Sequence, residues 1–364
     1  MPTARVAVAL APHTDLEMRE LEIVEPEGNE VLIRTVATGI CHTDILLRDG
    51  LFGPPHPVVP GHEGVGVIDA VGPDVLNLAV GDHVVLTQNS CGRCVTCRSA
   101  HPMNCERYEQ FNLSGRRPNS RPVFAGEDIG ANFVGQSSFS SLILASENNA
   151  CHVPKELRLD TAAPLGCGMV TGAGAVLNVL KPDIGSTLVI HGVGAVGMAA
   201  VMAARVADCA TIIAVDLNES RLAIAKELGA THVVNAGQEP DVVAAVHDLT
   251  SGGADYAVDA VGAVPVVRNA IASTRAGGHT VVLGLDGLGK SVPIDLDLLV
   301  FNRKVQGAIL GDQVAQSFIP HLVQLHLQGA FPFDRLVTRY AFDDINTAIA
   351  DAVAGRAIKP VVTF

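Results

Sequence analysis

Two kinds of segment are scarce in this chain: clusters of basic residues and long apolar runs. Its 364 residues include 25 Lys and Arg against 38 Asp and Glu, which gives a formal net charge of −13 at pH 7. No basic cluster is larger than a pair such as Arg116-Arg117, and binding to phosphates of nucleic acid requires a basic face. No apolar run approaches the roughly 18 residues that cross a membrane. These absences argue against nucleic acid and membrane partners.

The N-terminal segment also lacks the form of a secretory signal peptide. In MPTARVAVALAPHTD, the short apolar stretch is interrupted by Pro12, His13 and Asp15. We therefore expect a cytoplasmic location, where stable disulfides are rare. The length and the 48% apolar content allow two domains with sizeable cores.

Two regions of the chain differ in their pattern. Residues 1–168 contain short strand-like runs punctuated by Gly, Pro and Asp, which predict a mostly β domain. These runs are RVAVAL, EVLIRTVAT, GVGVIDAVG, DHVVL and SFSSLILA. The tail, 309–364, ends in the strand-like IKPVVTF, and we expect it to return to this first domain.

Residues 169–308 alternate apolar strand-like runs with alanine-rich helical stretches such as GMAAVMAARVA. The runs are TLVIHG, TIIAVD, THVVNA, DYAVDAVG, HTVVLGL and KVQGAIL. Buried strands joined by helical crossovers predict a doubly wound, six-stranded parallel sheet. The expected fold class is therefore α/β.

A glycine motif opens this second region. Gly192, Gly194 and Gly197 form G-x-G-x-x-G between a predicted strand and a predicted helix, and Asp216 follows 24 residues after Gly192. Such glycines let the backbone approach a pyrophosphate at a helix N-terminus, and the acid accepts hydrogen bonds from ribose hydroxyls. Because Asp216 would repel a 2′-phosphate, the motif favours NAD over NADP. The alternatives are NADP and a glycine turn that only packs the helix against the sheet.

Four of the eight cysteines lie close together as C-x2-C-x2-C-x7-C, at Cys91, Cys94, Cys97 and Cys105. Disulfides, redox thiols, an iron–sulfur cluster and zinc can all use cysteines at short spacing. Two thiolates on one tight turn match the separation that tetrahedral zinc requires, and four protein ligands leave no open position. Since nothing else in the chain suggests electron transfer, we expect a structural zinc.

Further candidate metal ligands lie outside this motif. GICHTD contains Cys41, VPGHEGVG contains His62 and Glu63, and PLGCGMVTGAG contains Cys167. Taken singly, each has an ordinary alternative, since a buried cysteine is usually a small apolar residue. Together, Cys, His and Cys would leave the fourth position of zinc open for water or an alcohol, which is the catalytic arrangement.

These motifs together resemble those of the zinc-dependent medium-chain alcohol dehydrogenases, along essentially the whole chain. The matching motifs are Cys41-His42-Thr43-Asp44, then Gly61-His62-Glu63-x-x-Gly66-x5-Gly72-x-x-Val75, the four-cysteine motif, Cys167 and the Gly192 motif. Within the family, GQSSFSSLILASENN, PLGCGMVTGAGA and GAFPFDRLVTRYAFDDIN are most similar to bacterial aryl-alcohol (benzyl alcohol) dehydrogenases.

The resemblance implies a GroES-like catalytic domain at 1–168 and 309–364 and a Rossmann domain at 169–308, with the active site between them. It assigns the catalytic zinc to Cys41, His62 and Cys167, with Glu63 just behind it. Asp44 would orient His62, as metal-bound histidines usually require. Thr43 would hydrogen-bond the substrate oxygen and take its proton.

The resemblance also implies a set of cofactor contacts. It assigns them to Val196 and Thr171 beside the nicotinamide, the backbone of Gly284 and Leu285, His42 and Lys359 at the pyrophosphate, and Arg221 at the adenosine. Leu46 stands where many family members carry a proton-relaying histidine, so either His42 or water would take the proton instead. Neighbourhood to the motifs suggests a substrate pocket of Phe52, Thr87, Phe111 and Phe133.

The implied activity is the reversible, NAD-linked oxidation of primary aromatic or allylic alcohols to aldehydes. The alternatives are a thiol-dependent formaldehyde dehydrogenase, a polyol or amino-alcohol dehydrogenase, and a non-catalytic protein that binds NAD and zinc. The expected partners are a small alcohol or aldehyde and further copies of this chain, in a homodimer or homotetramer.

Overall fold

The computed structural model describes residues 1–285 and 287–364. Strands in the described residues are β1 (Thr3–Val8), β2 (Glu17–Glu22), β3 (Glu30–Gly39), β4 (Gly64–Val71), β5 (His83–Leu86), β6 (Leu142–Ser146), β7 (Ala150–Val153), β8 (Thr187–His191), β9 (Thr211–Asp216), β10 (His232–Asn235), β11 (Ala254–Asp259), β12 (Thr274–Val282), β13 (Lys304–Gly307), β14 (Val337–Ala341) and β15 (Lys359–Thr363).

Helices lie mostly in the second half of the sequence. They are α1 (His42–Arg48), α2 (Val95–Arg98), α3 (Tyr108–Asn112), α4 (Leu159–Ala162), α5 (Gly168–Gly174), α6 (Ala195–Val206), α7 (Glu219–Leu228), α8 (Val242–Thr250), α9 (Val264–Ala272), α10 (Leu296–Val300), α11 (Ala315–Leu327) and α12 (Ile345–Val353). A π-helical segment, Ala175–Leu180, follows α5 directly.

The contacts within the chain divide it into two compact units. Unit 1 comprises Met1–Cys167, Val314–Leu327 and Asp334–Phe364, and unit 2 comprises Gly168–Gln313 and Gln328–Phe333. These limits differ by a few residues from the domains expected from sequence. Gly168 and the segments 309–313 and 328–333, expected in the first domain, belong to unit 2.

Unit 1 is built on a seven-stranded sheet, with the order β14-β15-β3-β4-β5-β7 and β6 also paired to β3. The long strand β3 pairs with β6 through its first half and with β15 through its last residues. The C-terminal strand therefore returns to the first domain, as the sequence predicted. A separate two-stranded sheet joins β1 and β2.

Apolar side chains of β3 explain why unit 1 forms around it. Val31 and Ile33 are fully buried and pack with Ile68 of β4, Val84 of β5 and Ile143 of β6. Gly66 lies against β3 so closely that an added Cβ would be 2.2 Å from the carbonyl oxygen of Arg34. The Gly64-Val65-Gly66 stretch thus serves strand packing in β4.

Unit 2 is built on a six-stranded sheet with the order β10-β9-β8-β11-β12-β13. All its strand pairs are parallel, so the predicted α/β class with a parallel sheet is confirmed. The strand order reverses direction between β8 and β11, which is where such sheets bind ligands. One expectation was wrong: the two edge strands are not buried. Strand β13 has three of its four residues exposed, and β10 has only one of its four residues buried.

No single helix in the described residues is long and apolar enough to cross a membrane. Only the consecutive pair Leu159–Gly166 and Gly168–Leu180, with a bend between them, passes the test of length and composition when taken together.

Candidate active site and metal centres

The four-cysteine motif folds into a lobe in which all four sulfur atoms converge. Their Sγ atoms lie within 4.8 Å of one another. Sγ of Cys97 is 3.3 Å from that of Cys94 and 3.9 Å from that of Cys91, too far for a disulfide, and all four thiols are free. Backbone N–H groups of Cys94 and Arg107 donate to Cys91 Sγ and Cys105 Sγ at 3.3 and 3.4 Å.

The chemistry of this lobe suits a divalent cation. A hydrogen bond from the Thr96 hydroxyl lowers the pKa of Cys94 to about 5, whereas burial raises the pKa of Cys97 to about 12. The neighbouring thiols of Cys94 and Cys105 add to this increase in the pKa of Cys97, and a divalent cation bound to the sulfur atoms would favour the thiolate form. Four sulfur ligands with no open position fit a structural zinc.

A second cluster brings together Cys41, His62, Glu63 and Cys167, whose ligand atoms also lie within 4.8 Å of one another. Cys41 caps the N-terminus of α1, and His62 and Glu63 directly precede β4. A hydrogen bond from Cys167 lowers the pKa of the Cys41 thiol well below its usual range, although burial opposes the shift. The sequence predicted this set of residues as a metal site, and the structure assembles it.

Asp44 ties three parts of this cluster together from a buried position. Its Oδ1 lies 2.7 Å from Nδ1 of His62 and accepts the N–H of Gly61 at 3.0 Å. Its Oδ2 accepts the N–H of Cys41 at 2.9 Å. Burial lowers the pKa of His62, but the charge of Asp44 and this hydrogen bond outweigh it and raise the pKa well above its usual range. With Nδ1 bonded to the carboxylate, Nε2 of His62 remains to bind a metal.

Behind the ligands lies a buried ion pair. Nζ of Lys359 donates to Oε1 of Glu63 at 2.6 Å and to the carbonyl oxygen of Ile40 at 3.2 Å. Neither residue is more than 2% exposed, and Oε2 of Glu63 has no hydrogen-bond partner. The resemblance assigned Lys359 to the pyrophosphate, but the structure gives its ammonium group different partners. The unpaired carboxylate oxygen of Glu63 is consistent with a cation nearby.

Helix α1 places the remaining motif residues around Cys41. The hydroxyl oxygen of Thr43 lies 3.9 Å from Cys41 Sγ, so it borders the metal cluster. His42 is exposed, whereas Leu46 is only 8% exposed and packs in the interior. Leu46 therefore offers no polar group for a proton path.

Two of the four predicted pocket residues, Phe133 and Phe52, form an aromatic pair beside the ring of His62. The ring of Phe133 is fully buried and meets His62 edge to face, with centroids 5.7 Å apart. Phe52 contacts Phe133 in the same manner at 6.3 Å. Phe111 does not join this pair; it lines a cavity of about 480 Å³ together with Cys91.

Thr87, the fourth predicted pocket residue, uses its hydroxyl within the protein. It is fully buried, and its Oγ1 donates to the carbonyl oxygen of Gly166 at 2.7 Å. Gly166 directly precedes Cys167. The Thr87 side chain therefore supports a metal-ligand segment, a role that its sequence neighbourhood did not indicate.

In unit 2, the glycine motif forms a turn from β8 into α6. Gly192 has φ +85°, and a Cβ on Gly197 would lie 1.9 Å from the carbonyl oxygen of Gly192. A Cβ on Gly194 would meet nothing within 4 Å, so space remains above the turn. Asp216, at the end of β9, accepts the N–H of Val193 at 2.8 Å and that of Asn218 at 2.9 Å. This arrangement fits the pyrophosphate and ribose of a dinucleotide.

The other predicted cofactor residues of unit 2 lie on neighbouring segments. Nε of Arg221, in α7, is buried and has no hydrogen-bond partner, which leaves it available to a ligand. Val196 lies within the glycine turn, close to the segment that carries Thr171. A Cβ on Gly172, the residue after Thr171, would lie 2.0 Å from the carbonyl oxygen of Val196. Gly284 and Leu285 follow β12 at the same edge of the sheet, and Leu285 is 43% exposed.

Two buried residues next to these sites, Gln136 and Asp259, were not predicted from the sequence. Gln136 hydrogen-bonds the backbone at both ends of the His62-Glu63 pair. Asp259 ends β11 and accepts the N–H groups of Val261 and Gly262. Gln136 lies in GQSSFSSLILASENN, and Asp259 lies in the strand-like run DYAVDAVG. Neither stretch contains a local pattern that indicates these hydrogen bonds.

Comparison with known proteins supports the same assignment. Residues 27–155 match the alcohol dehydrogenase GroES-like domain, and residues 195–326 match the zinc-binding dehydrogenase family. Over its whole length the chain is 42% identical to the geraniol dehydrogenase of Castellaniella defragrans, 98% of which is covered. The S-(hydroxymethyl)glutathione dehydrogenase of Komagataella pastoris is 34% identical, over 99% of this chain and 97% of that relative.

A solved structure agrees over the full length. The crystal structure of benzyl alcohol dehydrogenase from Acinetobacter calcoaceticus is 41% identical, with a TM-score of 0.97 and complete coverage of both chains. The four-cysteine lobe fits a structural zinc, and Cys41, His62 and Cys167 fit a catalytic zinc. The chain therefore belongs to the zinc-dependent medium-chain alcohol dehydrogenases.

Proposed function

We propose that this enzyme oxidises primary aromatic or allylic alcohols to aldehydes with NAD, in a reversible reaction. The observation that carries the proposal is the aromatic pair of Phe133 and Phe52 beside His62. Aromatic edges and faces favour a substrate with its own π system next to the carbinol carbon. The names of two relatives agree, because benzyl alcohol is aromatic and geraniol is allylic.

Zinc at the catalytic site supplies a Lewis acid that lowers the pKa of an alcohol hydroxyl. Cys41, His62 and Cys167 would hold the ion, and Asp44 would keep the His62 ring in its binding orientation. The Thr43 hydroxyl, which borders the cluster, would accept the proton of the substrate hydroxyl while its own proton passes to His42 or water. Phe133 would exclude water from the reacting carbon.

The proposed cofactor is NAD, which supplies the hydride acceptor. The turn from Gly192 to Gly197 would bind its pyrophosphate through backbone N–H groups at the start of α6. Asp216 would accept hydrogen bonds from the adenosine ribose and repel a 2′-phosphate. Arg221 would contact the adenosine portion, and Thr171, Val196, Gly284 and Leu285 the nicotinamide portion.

A panel of substrates tests this proposal. Initial rates of NADH formation would be compared for benzyl alcohol, geraniol, ethanol and sorbitol, without added thiol. We expect fast turnover of the first two and slow turnover of the others. Equal rates on ethanol, or no activity on any of the four, would contradict the proposal.

The main alternative is a thiol-dependent formaldehyde dehydrogenase, which a relative at 34% identity favours. It predicts activity only when formaldehyde and glutathione are supplied together. Adding this mixture to the panel separates the two functions, because the thiol adduct is then the only good substrate.

We also propose that the enzyme forms homodimers or homotetramers through the exposed edge of β13. A strand edge presents unpaired N–H and C=O groups that a second copy can satisfy. Exposed apolar side chains cluster nearby in sequence, at Leu288, Leu296, Val300 and Phe301, each at least 60% exposed. Burying them between copies would remove an apolar surface from water.

A further inference from the structure

Gln136 is a buried amide whose polar atoms all bind backbone near the catalytic metal ligands. Gln136 is only 2% exposed. Its Oε1 accepts the N–H of Gly64 at 2.9 Å, and its Nε2 donates to the carbonyl oxygen of His62 at 2.9 Å. Because an N–H can only donate and a carbonyl can only accept, these contacts fix the orientation of the amide. Gln136 thus hydrogen-bonds the backbone on both sides of Glu63, in the segment that carries His62.

The approach of Gln136 depends on the small size of its neighbour. A Cβ on Gly64 would lie 3.0 Å from Gln136 Oε1 and 2.8 Å from Ser138 Cβ. A larger residue at position 64 would therefore crowd Ile143 and Ser138 as well as the amide. The Gln136 amide therefore lies in closely packed surroundings, next to the backbone of Gly64.

The same amide reaches a second segment that supports Cys167. Its Nε2 also donates to the carbonyl oxygen of Thr87, through a longer contact of 3.4 Å. The hydroxyl of Thr87 in turn donates to the carbonyl oxygen of Gly166, one residue before Cys167. A continuous set of hydrogen bonds therefore runs from the His62 segment through Gln136 and Thr87 to the Cys167 segment.

We propose that Gln136 and Thr87 are positioning residues, which hold the His62 and Cys167 segments at the separation that the catalytic metal requires. The proposal rests on the assignment of Cys41, His62 and Cys167 to that metal. Ligand segments that are tied together lose less freedom when they bind an ion, and outer hydrogen bonds of this kind affect metal affinity. The structural zinc lies outside this set of contacts.

Asn149 offers a closely matched control. It is fully buried, makes three side-chain hydrogen bonds as Gln136 does, and shares the carbonyl oxygen of Thr87 at 3.1 Å. The other partners of its side chain are the N–H of Ser146 and the carbonyl oxygen of Gly135, so the Asn149 side chain makes no hydrogen bond to the His62 segment. Removing it costs as many buried hydrogen bonds without breaking the link between the two ligand segments.

The test measures how fast each zinc leaves in the presence of a chelator. Gln136→Met and Thr87→Val remove the link with little change of volume, Thr87→Ser retains the hydroxyl, and Asn149→Leu is the control. Released zinc is followed with time, and newly exposed cysteines are alkylated and mapped by mass spectrometry. Alkylation at Cys41 and Cys167 reports the catalytic site, and alkylation in the four-cysteine lobe reports the structural site.

We expect zinc to leave the catalytic site roughly 10-fold faster in Gln136→Met and Thr87→Val, with the four-cysteine site unchanged. Thr87→Ser should behave as the wild type, and Asn149→Leu should change the rate far less. Equal acceleration in Asn149→Leu, or parallel loss from both sites, would show general loosening and overturn the proposal.

The test remains informative if one variant fails to fold, and it does not involve a substrate. If Gln136→Met does not fold, the pair Thr87→Val and Thr87→Ser still compares the presence and absence of one hydroxyl. No substrate is present, so the result does not depend on which alcohol the enzyme oxidises. An error in the proposed substrate class would leave the zinc-loss rates unaffected.

Discussion

At the scale of single residues, Asp44 contributes most to the geometry of the catalytic cluster. Its two carboxylate oxygens accept N–H groups from Cys41 and Gly61 and bond the His62 ring. A carboxylate can do this because it only accepts. One buried side chain therefore sets the ring orientation of one ligand and the backbone of another.

Replacing Asp44 with Asn should weaken the catalytic site strongly. The amide would direct N–H groups at donors that now meet oxygen, so the His62 ring loses its fixed orientation. We expect about a 10- to 100-fold loss in zinc affinity or in kcat/KM. Zinc content after dialysis against a chelator, together with steady-state kinetics, measures both.

Asp69→Asn provides the control, because it makes the same charge change at an exposed position of β4. It should leave both quantities near the wild-type values. If Asp44→Asn also did so, Asp44 would not orient His62.

Cofactor choice should depend on Asp216. Replacing it with Ser removes the acceptor for the ribose hydroxyls and the charge that repels a 2′-phosphate. Because a hydrogen bond to a charged group contributes about 1.5–3 kcal/mol, the preference for NAD over NADP should fall by about 10- to 100-fold. The ratio of kcat/KM for the two cofactors measures it, and an unchanged ratio would contradict the assignment.

Functional residues could be predicted from the sequence where their contacts are local, and could not where their partners are distant along the chain. The four cysteines lie within one short segment, and the glycine motif directly joins a strand to a helix, so spacing alone indicated both. Lys359 and Glu63 lie 296 residues apart, and their ion pair depends on β15 returning beside β3. The contacts of Gln136 are similarly distant, at 72 residues from Gly64 and 74 from His62. No local pattern reports such pairs.

At the scale of elements, the loops at the carboxyl ends of β8, β11 and β12 meet around Asp259. This fully buried carboxylate accepts the N–H of Gly262 at 3.0 Å, and its backbone carbonyl accepts those of Leu283 and Gly284. A Cβ on Gly284 would lie 2.0 Å from the nitrogen of Gly262. The segment proposed to hold the nicotinamide is therefore shaped by Asp259.

Burial raises the pKa of Asp259 from 3.8 to about 6, although the N–H groups of Val261, Gly262 and Gly284 oppose the shift. Between those two pH values the folded state binds more protons at this site than the unfolded chain does. The stabilising contribution of the protonated form is thus full below the unfolded pKa and is lost as pH rises to about 6.

Asp259→Asn removes this titration. Relative to the wild type, the free energy of unfolding of the variant should therefore increase by up to about 3 kcal/mol as pH rises from about 4 to about 7. Urea unfolding of both proteins at several pH values measures the difference. A difference that stays constant over this range would mean that Asp259 titrates normally in the folded state.

Apolar content decided which strands could be predicted. The six strands of unit 2 and β1, β3, β4, β5 and β6 were all visible as apolar runs. Strand β2 escaped prediction because its sequence, EMRELE, is mostly charged and only one residue is buried. Strand β7 has only four residues and includes an exposed histidine. Short or charged strands are stabilised by pairing, which the local sequence does not show.

At the scale of the whole molecule, the two-region division and the return of the C-terminal strand were both predictable from where the strand and helix patterns change. The exposed character of β13 was not. Its run KVQGAIL is apolar overall, but most of the apolar residues lie beyond the strand, which ends at Gly307. Edge position depends on strand order, which the sequence does not give.

The exposed edge leads to a prediction about assembly. Val300→Asp and Phe301→Asp place charge on side chains that are 73% and 60% exposed. If copies pair through this region, the double variant should sediment as a single chain while the wild type sediments as a dimer or tetramer. Analytical ultracentrifugation distinguishes these masses.

Ile184→Asp is the control for that experiment, since this side chain is 84% exposed in the same unit but distant from β13 in sequence. It should retain the wild-type mass. Dissociation by the control alone, or a wild type with the mass of one chain, would contradict assembly through β13.

The proposed reaction is hydride transfer from an aromatic or allylic alcohol to NAD at the site of Cys41, His62 and Cys167. The most direct measurement uses benzyl alcohol carrying two deuterium atoms on its carbinol carbon, with mass spectrometry of the reduced cofactor. We expect one deuterium in each NADH formed and no labelled NADH from a Cys41→Ala variant. Unlabelled NADH, no reduction, or equal labelling by the variant would contradict it.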